Sequence, residues 1–267
     1  MTIGGARRRV FVREDGSGPC LTLLHGYPAS SLEWAGVWAL LSRTHRVIAL
    51  DFLGYGASDK PARYGYPLDD QADLVQEVWR SLRVTTSAVV AYDYGAIITQ
   101  ILVARRAPIT SITYLNASLY PELYRPRLIQ RLAPVPMLGA AIWKGFNEAT
   151  FYRTWAAVFG PEHPLDHSVA REHWKALTHG DPRATASRAV LSYMRQRARR
   201  ADELAATLTQ PVPTRFLWGG ADPVSGPAIA DALRARLDAP DLTEYPNVGH
   251  APHLEIPDVI AAAITAS

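Results

Sequence analysis

The chain holds a single cysteine, Cys20, among its 267 residues. One thiol excludes an intramolecular disulfide and any multi-cysteine metal site, and it fits a reducing compartment. Cys20 opens an apolar, strand-like run, where a packed core thiol is the expected role. No stretch approaches ~18 uninterrupted apolar residues, so no transmembrane helix is expected. Arg7-Arg8-Arg9 is not followed by an apolar segment of the signal-peptide kind. The expected location is therefore cytoplasmic. Internal repeats and low-complexity segments are missing too. Lysine is scarce, 3 residues against 25 arginines, a bias more in keeping with GC-rich coding than with function.

A hydrophobic content of 48% with 20% charged residues is that of an ordinary globular protein. The length allows one large core with an inserted subdomain. The net charge of +3 raises the question of a nucleic-acid partner. Its distribution argues against one: residues 120–208 carry 13 basic against 8 acidic side chains, and the rest is slightly acidic. The densest run, Arg195 to Arg200, reads as a solvated helix face, because no nucleic-acid motif accompanies it.

Strand-like runs at Arg9–Val12, Leu21–Leu24, Arg46–Leu50, Ser87–Ala91, Ile112–Leu115, Arg215–Trp218 and Leu242–Tyr245 alternate with helical patterns. Those patterns cover Ser31–Ser42, Leu68–Leu82, Ala96–Arg106, Ala228–Leu237 and Ile256–Thr265. Alternation of this kind predicts an α/β fold whose mostly parallel sheet is flanked by helices. The first run, short and flanked by arginine, reads as an antiparallel edge strand. The alternation stops after Asn116 and resumes at Pro211. The interval opens with Pro121, Pro126, Pro134 and Pro136 and shows helical spacing over residues 141–159 and 184–208. The expected division is a core domain of residues 1–118 and 210–267 with a helical lid of residues 119–209. A ligand would sit at the C-terminal strand ends, where the lid departs.

The chemistry concentrates at those ends. Tyr92-Asp93-Tyr94-Gly95 lies between an apolar strand and a helix, the context of a nucleophile elbow. A serine there would attack esters. A carboxylate attacking an ester gives a high-energy anhydride, whereas on a saturated carbon with a leaving group it gives a stable alkyl ester. Asp93 therefore points to substrates such as epoxides or alkyl halides. Asp222, in a glycine-rich turn after a strand, and His250, after the last strand, complete the order nucleophile, acid, histidine. Asp222 would hold the Nδ1 proton of His250. His25-Gly26-Tyr27-Pro28 follows the second run, and its Tyr27 N–H beside that of Tyr94 would form an oxyanion hole. His25 reads as a structural residue of its turn and Asp51 as a loop-fixing one. His253 has no third ligand at metal spacing, so a loop hydrogen bond is its expected role and no metal is expected.

Leu24 to Pro28, Asp51 to Pro61 and Tyr92 to Gly95 resemble the epoxide-hydrolase-like branch of the α/β-hydrolase superfamily, over nearly the whole chain. Within it, Arg125-Pro126, Val158 to Pro161, Gln196-Arg197 and Asp222 to Val224 resemble the mesoderm-specific transcript group. The resemblance implies an α/β-hydrolase fold and two-step catalysis. Asp93 attacks carbon and forms an alkyl ester; His250 then directs water onto the Asp93 carbonyl carbon. Epoxide opening also needs a proton donor, and related hydrolases use lid tyrosines. The lid offers Tyr120, Tyr124, Tyr152 and Tyr193, of which Tyr193 and Tyr152 are the candidates. Alkyl-halide hydrolases of this fold usually carry tryptophan after the nucleophile and asparagine after His-Gly. Tyr94 and Tyr27 stand there instead.

The expected function is hydration of a small apolar epoxide with water, without cofactor, nucleic acid or membrane. Dehalogenation and a non-catalytic ligand-binding role are the alternatives. Oligomeric state is not legible.

Overall fold

The computed structural model describes residues 1–133, 135 and 137–266, so Pro134, Pro136 and Ser267 lie outside the described residues. A short hairpin pairs β1 (Thr2–Ile3) with β2 (Ala6–Arg7). The main sheet contains β3 (Val12–Asp15), β4 (Cys20–Leu24), β5 (Arg46–Leu50), β6 (Ser87–Tyr92), β7 (Ile109–Leu115), β8 (Thr214–Gly219) and β9 (Asp241–Tyr245). Their spatial order is β3-β5-β4-β6-β7-β8-β9, and every pairing is parallel except β3 with β5.

The edge strand is antiparallel as expected but begins later, at Val12 and not Arg9. The reason lies in the loop after β5. Asp51 N donates to Phe11 O (3.0 Å), Phe11 N to Ser58 Oγ (2.9 Å) and Arg9 N to Asp59 Oδ2 (2.8 Å). Residues 9–11 are thus tied to the Asp51–Asp59 loop, and the ladder starts only beyond them.

Successive side chains of a strand point to opposite faces. Val89 and Ala91 of β6 join one core cluster, Val90 and Tyr92 the other. The first cluster is covered by α2 (Leu68–Ser81) and α3 (Tyr94–Ala104), the second by a 3₁₀ turn at Ser31–Trp34, α1 (Ala35–Leu41) and the C-terminal helix. Strands buried on both faces read as continuous apolar runs, which is why they are legible in the sequence.

The connections place the site. From β4 the chain crosses outward to β5, then returns past β4 to β6 on its other side. Crossovers that reverse direction leave a crevice at the C-terminal ends of β4 and β6. The His25–Tyr27 loop leaves one strand there and Asp93 leaves the other.

Between β7 and β8 the described residues form no strand, and turns and loops join a series of helices. These are a 3₁₀ turn at Pro121–Leu123, α4 (Leu128–Leu132), α5 (Leu138–Lys144), α6 (Glu148–Ala156), α7 (His167–Thr178), α8 (Thr185–Val190), α9 (Tyr193–Ala198), α10 (Ala201–Ala206) and a 3₁₀ turn at Thr207–Thr209. The chain closes with α11 (Pro227–Arg236), α12 (Pro252–Glu255) and α13 (Pro257–Thr265). No helix among the described residues is long and apolar enough to cross a membrane.

The arginine run is not wholly solvated. Arg195 and Arg199 are exposed, but Arg197 is buried, with its guanidinium 4.2 Å from the centre of the Tyr124 ring and 5.7 Å from that of Tyr193. Cation–π packing lets this arginine turn inward while its neighbours face water.

Candidate active site

Asp93 joins β6 to α3 with φ +44°, a left-handed value that costs an aspartate on the order of 1–3 kcal/mol. Two glycines make that turn possible. A Cβ on Gly95 would lie 2.2 Å from Leu24 O, and one on Gly26 would lie 2.9 Å from Asp93 Cβ. The backbone therefore closes on Asp93 from both sides, and the residue is 5% exposed.

Tyr27 N donates to Asp93 Oδ1 at 2.8 Å. His250 Nε2 lies 3.4 Å from Asp93 Oδ2, and His250 Nδ1 donates to Asp222 Oδ2 at 2.7 Å. Three side chains from loops after β6, β8 and β9 thus meet at one place. Tyr94 opens α3, whose first-turn N–H groups have no intrahelical partner. Its ring is buried against Phe52, Tyr55 and Tyr193.

Asp222 is 2% exposed and held on every side. It accepts from Val224 N (2.7 Å), Ser225 Oγ (2.8 Å) and Asn116 Nδ2 (2.9 Å) besides His250. Burial alone would raise its pKa; the His250 charge and these hydrogen bonds outweigh it and hold the carboxyl below the usual range. Burial likewise opposes a charge on His250, but Asp222 first and Asp93 second hold its pKa up to about 10.

Asn116 and Glu255 complete the support and were missed in the sequence. Asn116 Nδ2 also donates to Gly219 O (3.0 Å), and its Oδ1 accepts from Gly219 N (2.6 Å), which pins β8 to the end of β7. Glu255 accepts from Gly249 N (2.7 Å), Ala251 N (3.1 Å) and Gly160 N (2.9 Å), bracing the His250 loop against the helical segment. The available signals were a polar residue following an apolar strand and a carboxylate ending a short helix. Both are too common to single out.

His25 and Asp51 have structural partners. His25 Nδ1 donates to Gly26 O (2.9 Å) and its Nε2 accepts from Phe52 N (3.1 Å). Asp51 accepts from Ser31 N (2.8 Å) and Ala57 N (2.8 Å). His253 differs from the expectation of a loop hydrogen bond. Both of its nitrogens are buried without a hydrogen-bond partner, Nε2 standing 3.8 Å from Glu33 Oε1, and its ring lies between Trp34 (4.5 Å) and Tyr92 (4.6 Å). No group of three or more metal-ligating side chains comes together among the described residues.

A cavity of about 70 Å³ opens onto Asp93 and His250, walled by Tyr27, Trp143, Phe151, Trp155, Val158 and Leu191. Tyr152 is not on this wall. Phe151, Thr154 and Trp155 share the face of α6 that lines the cavity, and Tyr152 lies about 100° round the helix from Phe151. Its ring stacks on His167 at 3.7 Å and its hydroxyl donates to Leu165 O at 3.5 Å. Tyr193 comes closer, buried at 1% exposure against Tyr94 (5.2 Å) and Tyr27 (6.1 Å), but it stands behind the wall and not on it. Burial raises its pKa well above the usual value, and Tyr124 and then Asp93 add to the rise.

A model of the alpha/beta hydrolase family matches residues 23–263. The chain is 32% identical over 267 residues to the mesoderm-specific transcript homolog protein of Homo sapiens, covering 93% of this chain and 79% of that one. It is 29% identical over 269 residues to haloalkane dehalogenase 2 of Mycobacterium tuberculosis, covering 97% and 91%. Among solved structures it is similar to an alpha/beta hydrolase fold protein from Burkholderia ambifaria, with TM-score 0.84, 23% identity and coverage of 100% and 96%.

Proposed function

We propose that this chain, which belongs to the alpha/beta hydrolase family, hydrolyses a small apolar epoxide to a diol through a covalent ester on Asp93. One observation carries the reading. A carboxylate, not a hydroxyl, stands at the elbow, with an N–H donor on one oxygen and His250 at the other. A carboxylate so placed is a nucleophile for carbon, and the apolar cavity suits a small uncharged electrophile.

The pKa pattern gives the histidine its timing. While Asp93 is ionised it helps keep His250 protonated. Esterification removes the Asp93 charge and the imidazole pKa falls; His250 gives up its proton, which replaces the one taken by the departing epoxide oxygen, and can then accept one from water. Water then attacks the Asp93 carbonyl carbon, and Tyr27 N–H faces the oxyanion that forms on Oδ1. The helical segment over the cavity would act as the lid, residues 119–209 of the expected division. A cytoplasmic, cofactor-independent enzyme is part of the same proposal.

A second reading is dehalogenation, which the similarity to haloalkane dehalogenase 2 favours. Both readings share the ester and differ in the leaving group.

The test is His250→Ala incubated with panels of epoxides and haloalkanes and examined by intact mass and peptide mapping. An adduct confined to Asp93 is the expected result, because alkylation survives and ester hydrolysis stops. Release of halide without diol formation by the wild-type protein would favour dehalogenation. No adduct with any probe would favour the ligand-binding role.

A further inference from the structure

Among the described residues that line the cavity, Tyr27 is the one tyrosine. Its hydroxyl is held in place: buried Ser187, on α8, donates from Oγ to Tyr27 Oη at 3.2 Å. The ring packs on Tyr55 (6.4 Å) and on Tyr193 (6.1 Å). A phenol whose oxygen already accepts from serine keeps its own proton for another acceptor. Tyr27 also lines the cavity onto which Asp93 opens and is bound to Asp93 through its backbone N–H. Burial first, with the charge of Asp93 among the smaller contributions, raises the Tyr27 pKa, while the Ser187 bond draws it down, so the phenol stays neutral and able to donate.

We infer that the Tyr27 side chain is the general acid of epoxide opening and Ser187 its positioning residue, a conclusion that rests on the epoxide reading above. Asp93 Oδ2 bonds to the substrate carbon as the carbon–oxygen bond of the ring breaks. The departing oxygen takes the Tyr27 proton and leaves a phenolate, on which the Ser187 hydrogen bond strengthens. With Asp93 neutralised as its ester, the His250 imidazolium returns a proton to that phenolate. This restores Tyr27 and leaves His250 as a neutral base. Water gives its proton to His250 while its oxygen attacks the ester carbon, and collapse yields the diol, ionised Asp93 and imidazolium. The balance is one epoxide and one water consumed per diol, with every protein group returned to its starting state.

The experiment compares His250→Ala with the double variant Tyr27→Phe/His250→Ala, following formation of the Asp93 adduct in single turnover. Styrene oxide and 1-bromobutane are the probes, the second having a leaving group that needs no proton. The expected result is a loss of about 100-fold or more with styrene oxide and a change within about threefold with 1-bromobutane. Ser187→Ala alone is expected to lower kcat for styrene oxide with KM little changed. Equal losses with both probes would overturn the assignment, since the ring would then be shaping the Asp93 site and not donating a proton. An unchanged styrene oxide rate would overturn it while leaving the function standing. Absence of adduct from either probe in His250→Ala would remove the function itself, and the Tyr27 assignment with it.

Discussion

His250 Nε2 stands 3.4 Å from Asp93 Oδ2, so the imidazole is shared between the elbow carboxylate and Asp222, which it meets at 2.7 Å on the other side. Both carboxylates favour its charged form, and they outweigh the burial that opposes it. Asp93→Asn removes one of them while keeping the shape of the side chain. The His250 pKa is expected to fall below about 10, read from imidazole nitrogen and carbon shifts by NMR titration. An unchanged value would mean that Asp222 alone sets it, and the timing proposed for the histidine would be lost.

Asn116→Ala probes the support beneath Asp222. The wild-type side chain is fully buried and ties Asp222 to both backbone groups of Gly219. Its loss leaves buried polar groups unpaired, which costs about 2–3 kcal/mol. It also withdraws one of the interactions that hold the Asp222 pKa down. Denaturant unfolding should show the destabilisation together with a drop in kcat larger than any change in KM. A variant of wild-type stability would show that water replaces the amide.

That Asp93, Asp222 and His250 would meet was legible because they follow strand ends in chain order, and the sheet topology carries that order into space. The strands themselves were legible through their apolar runs. Other features depend on phase and packing, which a sequence does not display. Tyr152 and Phe151 are neighbours in the chain, yet only Phe151 faces the cavity, since the rotation of α6 is set by what it packs against. Arg197 sits in a run of charges that reads as solvated, and only the Tyr124 and Tyr193 rings reveal why it is inside. The role proposed for the Tyr27 phenol was not legible, because its motif points to the backbone N–H and Ser187 lies 160 residues away.

Gly95→Ala tests the elbow backbone. The added Cβ would meet Leu24 O at 2.2 Å, a backbone atom of a buried strand that cannot yield. A loss of 3 kcal/mol or more, on the order of a large core defect, is expected, with activity falling as Asp93 shifts. Gly65→Ala is the control, because nothing lies within 4 Å of its added Cβ. It should be neutral or stabilising by about 0.4–1 kcal/mol. Equal melting temperatures for the two variants would contradict the close approach of β4 to the elbow.

Stability should peak near pH 6.5, the ordinary histidine pKa, and the buried groups around the site say why. Burial lowers the His173 and His253 pKa values from 6.5 to about 3. The unfolded chain takes up their protons first, so their contribution is complete above 6.5 and is lost as pH falls toward 3. Glu33 and His250 have the opposite sign. Burial raises Glu33 from 4.5 to about 8, and the carboxylates raise His250 from 6.5 to about 10. Their contributions are complete below those unfolded values and are lost as pH rises through the folded ones. Each group contributes a slope of about 1.4 kcal/mol per pH unit at most. Below 6.5 the two histidines outweigh Glu33; above it Glu33 and His250 act together. Glu33→Gln keeps an acceptor for Gly26 N, which Glu33 now meets at 2.8 Å, but cannot ionise. It should flatten the alkaline side between pH 6.5 and 8 and leave the acid side steep. His253→Phe, which keeps a ring between Trp34 and Tyr92, should do the reverse. Melting temperatures at pH 5, 6.5 and 8 distinguish the two variants. Parallel curves for wild type and Glu33→Gln would show that Glu33 is ionised in the folded protein at neutral pH.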